Sequence, residues 1–279
     1  MSWHARLELN YQRDESLQRS IARFSHSGPL RILQSLYPEG DAVCHNVLIH
    51  PPGGLVGGDT LDIEVRAARG SHGLITTPGA SRFYRSEGES AVQHTRLMLE
   101  DGARLEWLPL EAICYSACRA ENRLRIEAAP GAEMIGWDVA ALGLPGAGQP
   151  FERGSLLQHI EVPGVWLERG RIDAADTRLM GSPLGLAGQR CLASLFFVAG
   201  SPIERSRREA ALELTRSLLE ASALHASAGV TSPHGEVIVL RVLAPVVEPA
   251  MQLLRQVWQA WRASLWQMKA SAPPRIWSM

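Results

Sequence analysis

The sequence has no excess of charge of either sign and no long hydrophobic run. The 279 residues carry a formal net charge of −1 with a pI of about 6.8, which argues against nucleic acid or an anionic membrane as the main partner. No apolar run reaches the ~18 residues of a membrane-spanning helix, and the first residues lack the apolar core of a signal peptide. We therefore expect a cytoplasmic protein.

Cysteine is scarce. The four cysteines, at positions 44, 114, 118 and 191, fit reduced thiols in the cytoplasm. Cys114 and Cys118 lie four residues apart, but a pair without further ligands nearby matches no standard zinc spacing. We predict that the cysteines serve packing. The nine histidines form no tight ligand spacing either, so no tightly bound metal or cofactor is expected, and His50 is a possible weak ligand.

Short strands dominate what is present. Apolar or alternating segments separated by Pro-Gly and Asp-Gly turns predict strands over residues 3–10, 30–36, 43–49, 61–66, 74–77, 95–99, 103–108, 124–128, 134–139, 156–162, 165–168, 192–198 and 236–243. Similar turn segments at 68–72, 100–104 and 129–133 recur about thirty residues apart, which is typical of stacked strand–turn units. We predict one mainly β domain over 1–279, with an elongated stacked-sheet or β-helix-like fold.

The last quarter of the chain changes character. Two helices are predicted there, at about 203–222 and 249–268, both packed on the β body. The second helix carries a continuous apolar stripe that includes Trp258 and Trp261. This stripe fits burial against the protein's own sheet, and it equally fits an anchor for a helical partner, since aromatic residues dominate interface hot spots.

Residues 50–64 form the most distinctive segment. Two prolines are followed by the pairs Gly53-Gly54 and Gly57-Gly58, then by Asp59 and a strand pattern. Paired glycines indicate backbone that turns sharply or packs closely. A phosphate-binding loop would need a following helix and a Lys-Ser or Lys-Thr pair, and neither is present. The segment is therefore either a structural turn or a loop that places Asp59 for function.

Residues 78–86 form a second distinctive segment. Pro78-Gly79 is a turn signal, and the hydroxyl, guanidinium and aromatic groups after it suggest a polar site. Ser81 is not in the G-x-S-x-G context of a nucleophile elbow. A hydrolase that uses Asp59, His50 and Ser81 is therefore only an alternative.

These motifs resemble those of a known family. Gly28-Pro29-Leu30, Tyr37-Pro38-Glu39, Cys44-His45, residues 50–59, residues 77–86, Leu105–Pro109, Gly136–Asp138, Leu142-Gly143 and Pro274–Trp277 are similar to segments of the urease accessory protein UreD family, also called UreH. The resemblance covers essentially the whole chain. It implies an elongated, β-rich stacked-sheet fold with two helices late in the chain.

The resemblance also implies a role without catalysis. Members bind apo-urease and, with UreF and the GTPase UreG, help deliver nickel, so Ni²⁺ is transient cargo. A polar interior passage is proposed in the family as the nickel route. By motif it corresponds here to Asp59, Ser81, Asp138 and Glu168, and we place Trp258 and Trp261 at or behind the UreF-docking surface. A pure docking scaffold without a metal path is the alternative.

Three features depart from the family pattern. Leu110 and Leu144 replace residues that are usually polar, which would narrow or dry the passage if both line it. Cys114 and Cys118 are not part of the pattern, so no role in the passage is assigned to them.

Overall fold

The computed structural model describes residues 2–278, and most of its elements are strands. In chain order the strands are β1 (His4–Asp14), β2 (Arg19–Ser27), β3 (Arg31–Leu36), β4 (Cys44–Ile49), β5 (Thr60–Ala67), β6 (His72–Thr76), β7 (Ser81–Phe83), β8 (Ala91–Leu99), β9 (Arg104–Leu108), β10 (Ala112–Cys114), β11 (Cys118–Ala128), β12 (Glu133–Leu144), β13 (Gln149–Pro150), β14 (Gly154–Val162), β15 (Trp166–Asp173), β16 (Cys191–Ala199), β17 (Ala228–His234) and β18 (Val237–Ala244). The predicted mainly β fold is confirmed.

The strands form two sheets. The first, here called the outer sheet, has the order β15-β14-β11-β8-β5-β1-β2. The second, the central sheet, has the order β17-β18-β16-β12-β9-β6-β4-β3, with short strands β7, β10 and β13 beside this path. Strands β5, β8, β11 and β14 are parallel in the outer sheet, and β4, β6, β9 and β12 are parallel in the central sheet. Antiparallel strands close both ends of each sheet.

The chain alternates between the two sheets, so each successive coil adds one strand to each sheet. The direct neighbours Asp62, His94, Arg123 and His159 lie on adjacent strands of the outer sheet and follow one another about thirty residues apart along the chain. This is the stacked arrangement that the recurring turns predicted.

The recurring turn segments are the corners of successive coils. Gly70, Gly102 and Gly131 sit at equivalent corners with φ of 68°, 68° and 82°, a backbone conformation that glycine adopts without a Cβ penalty. The corners also bond to one another: the amide of Arg104 donates to the carbonyl of Ser71 over 2.8 Å, and that of Glu133 to the carbonyl of Ala103 over 3.0 Å. The repeat in sequence therefore reflects a repeat in hydrogen bonding.

Helices α2 (Arg205–Glu220) and α3 (Val247–Trp266) cover the second face of the central sheet. The short helix α1 (Thr177–Gly181) instead packs its Met180 against the residues between the two sheets. The two predicted C-terminal helices are confirmed to within about two residues at each end, whereas α1 was not predicted. Among residues 2–278, none of the helices combines the length and apolar character needed to cross a bilayer. The assignment of 1–279 to one domain stays a prediction.

Two hydrophobic layers result. One lies between the two sheets and includes Leu9, Leu97 and Leu105. The other lies between the central sheet and the helices α2 and α3, and includes Trp137 and Phe197. The inner faces of the two sheets are therefore apolar by default, so a polar side chain between them stands out.

Candidate functional site

The two distinctive segments of the sequence fold against each other. The amide of Leu55 donates to the carbonyl of Arg82 over 2.7 Å, and the amide of Tyr84 donates to the carbonyl of Leu55 over 2.8 Å. The ring of Tyr84 lies directly on Gly54, where a Cβ atom would come within 2.2 Å of it. Residues 50–59 and 78–86 thus form one continuous surface, and the glycine is needed for their contact.

Asp59 holds this loop together. One carboxylate oxygen accepts the amide of Trp3 over 3.1 Å and the other accepts the amide of Val56 over 2.9 Å. Gly58, immediately before it, has a φ of 89°. The side chain is buried and does not line the neighbouring cavity. This geometry matches a structural role for Asp59, joining the start of the chain to the glycine loop.

His50 and Ser81 line a cavity of about 250 Å³ next to this loop, together with Gln93 and Thr77. Burial lowers the pKa of His50, although the charge of Asp59 opposes this, so the imidazole is neutral at pH 7. Its Nε2 is buried without a hydrogen-bond partner. Within residues 2–278, no hydrogen bond joins Ser81 to His50, so the pairing that a serine hydrolase requires is not formed.

Asp138 lies between the two sheets in a polar environment. It is on β12, and its two carboxylate oxygens accept the side-chain amides of Asn122 over 2.6 Å and Gln158 over 2.5 Å. Asn122 in turn accepts the side-chain amide of Gln93 over 3.4 Å. Because Gln93 lines the cavity of His50 and Ser81, these contacts connect that cavity with Asp138.

Glu168 continues the polar contacts on the other side of Asp138. Its carboxylate accepts the hydroxyl of Ser194 over 2.9 Å and the Nε of Arg241 over 2.7 Å. Ser194 is the direct neighbour of Asp138 on the adjacent strand β16, and Arg241 is the neighbour of Ser194 on β18. We call the whole set the interior polar row: Gln93, Asn122, Asp138, Gln158, Glu168, Ser194 and Arg241, where Arg241 is exposed and forms the end of the row at the surface.

The ionisation of Asp138 reflects its position. Burial raises its pKa to about 6, and the charge of Glu168 adds to this, while the bonds from Gln158 and Asn122 oppose it. The group is therefore mostly charged at pH 7 and protonates in mildly acidic solution. In the part of the chain that the structure describes, no three His, Cys, Asp or Glu side chains are grouped to hold a metal ion. The row offers oxygen atoms in series, and no tight metal centre.

Trp258 and Trp261 are both buried between α3 and the central sheet. The indole of Trp258 donates to Glu106 and that of Trp261 to Thr215. Both tryptophans therefore pack within the protein. This agrees with the interpretation of the apolar stripe as a face buried against the protein's own sheet. A partner protein that binds this face would contact the residues that lie over the two tryptophans.

α3 is also fixed by ion pairs. Arg262 donates to both carboxylate oxygens of Glu39, over 2.9 and 2.8 Å, and lies 3.2 Å from Glu106. Glu39 further contacts His45, and Glu106 contacts His72, each over 2.8 Å. The last helix is thereby joined to residues from the first half of the chain.

The departures from the family pattern lie outside the interior polar row. Leu110 packs against the helix-side hydrophobic layer, and Leu144 lines a small cavity near the start of α3. Neither narrows the row. Cys114 and Cys118 are buried in the layer between the sheets, and all four cysteines are free thiols.

Most of the row was missed by sequence reasoning, although a signal was present. In β11 the inward positions are Ala120, Asn122, Leu124 and Ile126, and in β14 they are Leu156, Gln158, Ile160 and Val162. A single polar residue thus interrupts the apolar face of each strand. Such interruptions at equivalent heights of successive strands indicate a shared polar site.

Comparison with known proteins identifies the family. Residues 4–278 match the family described as UreD urease accessory protein. The chain is 76% identical over 278 residues to the urease accessory protein UreD of Variovorax paradoxus (strain S110), and 68% identical over 279 residues to that of Polaromonas naphthalenivorans (strain CJ2), with all of each chain covered. It is 49% identical to the UreD of Methylibium petroleiphilum, with 99% of each chain covered. This chain therefore belongs to the UreD family of urease accessory proteins, which act in urease maturation.

Proposed function

We propose that this protein assists urease maturation by passing Ni²⁺ along the interior polar row to apo-urease. In this proposal it works in the cytoplasm together with UreF and, through UreF, with the GTPase UreG. It catalyses no reaction, and nickel is its cargo. Asp138 and Glu168 are the main transient ligands, and the cavity of His50 and Ser81 is one end of the route.

The chemistry of the row supports transfer of a divalent ion. An isolated carboxylate buried between the two sheets would cost several kcal/mol. At Asp138 two side-chain amides offset part of that cost, and at Glu168 a hydroxyl and a guanidinium group do so. Carboxylate and amide oxygens bind nickel more weakly than clustered imidazoles or thiolates. Weak ligands in series allow an ion to move from one to the next.

The cavity at the end of the row supports the same proposal. His50 is neutral, which is the form that binds a metal ion, and its buried Nε2 has no other partner. Ser81 and Gln93 add oxygen atoms to the same cavity. Asp59, by contrast, is occupied by backbone amides, so we assign it to the architecture of the loop.

The single observation that carries the proposal is Asp138, a carboxylate buried in the hydrophobic layer between the two sheets and bonded to the side-chain amides of Asn122 and Gln158. The alternative, a docking scaffold without a metal path, explains the same contacts as a way to align the sheets. The nickel route and the docking scaffold differ in whether the negative charge of Asp138 is needed. Asparagine at this position distinguishes them, because it keeps the shape of the side chain and removes the charge.

The test is urease activation at limiting nickel with the Asp138→Asn variant. We expect the variant to assemble with UreF and apo-urease as the wild type does, but to yield urease with a lower nickel content. The matched control is Asp101→Asn, which makes the same change at an exposed corner residue whose carboxylate pairs with Arg69. Full nickel content with Asp138→Asn would favour the docking scaffold.

A further inference from the structure

Three arginines converge on a cavity outside the interior polar row. The cavity, about 450 Å³, lies at the end of the outer sheet where β8, β11 and β14 begin and β15 ends. Its polar lining comprises Ser86, Ser90, Arg119, Arg153, Ser155, Arg171 and Asp173. We call it the arginine pocket.

The guanidinium groups of this pocket lack acidic partners. Within residues 2–278, none of the three forms an ion pair with a carboxylate; Arg119 donates to the carbonyl of Gly88 and Arg171 to the hydroxyl of Ser155. On the solvent face of the same sheet, arginines 96, 123 and 125 each pair with a glutamate. Within residues 2–278, Arg13, Arg23 and Arg169 of the same sheet also lack a carboxylate partner, but they do not line this cavity. The pocket is distinguished because three unpaired guanidinium groups meet in one place.

Acidic groups near the pocket do not offset this charge. Asp173 is in the lining, but its Oδ1 accepts the amide of Ala175 over 2.9 Å. Glu121 is close enough for the charge of Arg171 to contribute to lowering its pKa, although it pairs with Arg123. Three positive charges face one carboxylate within the lining, so the pocket attracts anions.

The floor of the pocket is fixed by backbone hydrogen bonds. The amide of Ala117 donates to the carbonyl of Arg153 over 2.7 Å, and the amide of Ser86 donates to the carbonyl of Ala117 over 3.0 Å. Ala117 has a φ of 68°, a conformation that is unfavourable for a residue with a Cβ. The Oγ of Ser86 is buried without a partner. These two hydrogen bonds join the segments around Ser86, Ala117 and Arg153 into one floor.

An aromatic pair, of which Tyr84 is exposed and Tyr115 half-buried, borders the pocket. Tyr84 and Tyr115, each two residues from the pocket floor, stack with ring centroids 5.0 Å apart. Tyr84 is 37% exposed, and nearby Val56 is 45% exposed. Tyrosine and arginine are enriched among the residues that dominate protein interfaces. A small anion would cover the arginines alone, whereas a peptide would also cover the tyrosines.

We propose that the arginine pocket and the Tyr84–Tyr115 pair together bind an acidic segment of a partner protein. Carboxylate side chains of that segment lie between Arg119, Arg153 and Arg171, where the guanidinium groups donate paired hydrogen bonds. The rest of the segment crosses the tyrosines. This inference stands independently of the nickel route, because it involves no residue of the interior polar row.

The test is fluorescence anisotropy with labelled hexaglutamate and hexaglutamine as probes. We expect wild type to bind hexaglutamate more tightly than hexaglutamine, with an affinity that falls as salt rises. The variant R119Q/R153Q/R171Q should bind it at least about tenfold more weakly, since three exposed charge pairs are lost. The control R13Q/R23Q/R275Q removes the same charge elsewhere and should bind like the wild type.

Each other outcome would overturn the proposal. Equal binding by R119Q/R153Q/R171Q and wild type would show that the pocket is not the site, and no preference for hexaglutamate in wild type would show that no acidic segment binds. If inorganic phosphate binds the pocket and hexaglutamate does not displace it, the site takes a small anion only. Glutamine retains the length of arginine, and matching thermal melts confirm that all variants are folded.

Discussion

The indole N–H of Trp258 donates to a carboxylate oxygen of Glu106 over 2.6 Å, across the contact between α3 and the central sheet. Glu106 is fully buried. Burial alone would raise its pKa, but the bond from His72, the charge of Arg262 and the bond from Trp258 outweigh it and lower the pKa. The charged carboxylate is therefore a fixed acceptor on which the last helix is positioned.

The two buried tryptophans of α3 should differ in their contribution to stability. Trp258→Phe removes a hydrogen bond to a charged acceptor and should lower the free energy of unfolding by about 2 kcal/mol, whereas Trp261→Phe removes one to the hydroxyl of Thr215 and should cost about 1 kcal/mol. Urea denaturation measures both. Because both side chains are fully buried, each variant is the size-matched control for the other, and equal losses would contradict the assigned role of Glu106.

Glu39 should make the protein sensitive to acid. Burial opposes its ionisation, but bonds from His45 and Ser271 and the nearby Arg262 lower its pKa from 4.5 to about 2. A lowered pKa stabilises the fold above the unfolded-state value, and this contribution is lost as the pH falls from 4.5 towards 2. Glu39→Gln should therefore show a shallower loss of stability than wild type across that window, measured by urea denaturation, with the exposed Glu220→Gln as control. If the free energy of unfolding falls equally with pH in Glu39→Gln and in wild type, this prediction is wrong.

Asp138 should have the opposite pH dependence. Its pKa is raised from 3.8 to about 6, so its contribution to stability is fully present below 3.8 and is lost as the pH rises through 6. At neutral pH the charged form of Asp138 destabilises the fold, so Asp138→Asn should be at least as stable as wild type. That advantage should shrink as the solution is acidified. A variant markedly less stable than wild type at neutral pH would show that the charge serves the architecture.

Glycine should be required at only some positions of the two motifs. A side chain at Gly58 would adopt a φ of 89° and place its Cβ 2.5 Å from Glu89 and 2.9 Å from Ser2. Gly58→Ala should therefore cost about 1–3 kcal/mol. A Cβ at Gly79 would meet no atom within 4 Å, and the φ of Gly79 is not positive, so Gly79→Ala should be nearly neutral. Similar melting temperatures for both variants would contradict this assignment.

Much of the fold could be predicted from sequence because its determinants are local. Alternation identified most strands, and the repeated turns identified the coils. The missed elements depend on partners. Strand β2 has a mostly polar, weakly alternating sequence and forms by pairing with β1, and β7 and β10 are three-residue strands that pair with each other. The strand predicted over 134–139 continues to Leu144 as β12, and its residues 141–144 pair with β10 and β13.

The candidate site was less predictable because it is assembled from distant residues. Motifs indicated Asp138 and Glu168, but Asn122, Gln158 and Ser194 come from other strands and join them only once the sheets face each other. Asp59 was singled out by its position after the glycines, but its carboxylate is occupied by the backbone amides of Trp3 and Val56. Sequence thus located the unusual segments, while the partners of each charge required three-dimensional contacts.

The ion pair between Arg262 and Glu39 joins residues 223 positions apart, and this has a consequence for biosynthesis. The coils can stack as they leave the ribosome, because each bonds only to its neighbour. The part of the central sheet that α3 covers stays exposed until α3 has been translated, since α3 follows every strand of that sheet. Copies that stop before residue 247 would present this apolar face to solvent, where such surfaces aggregate. Translation of α3 is therefore the step that covers this apolar face and protects the new chain from aggregation.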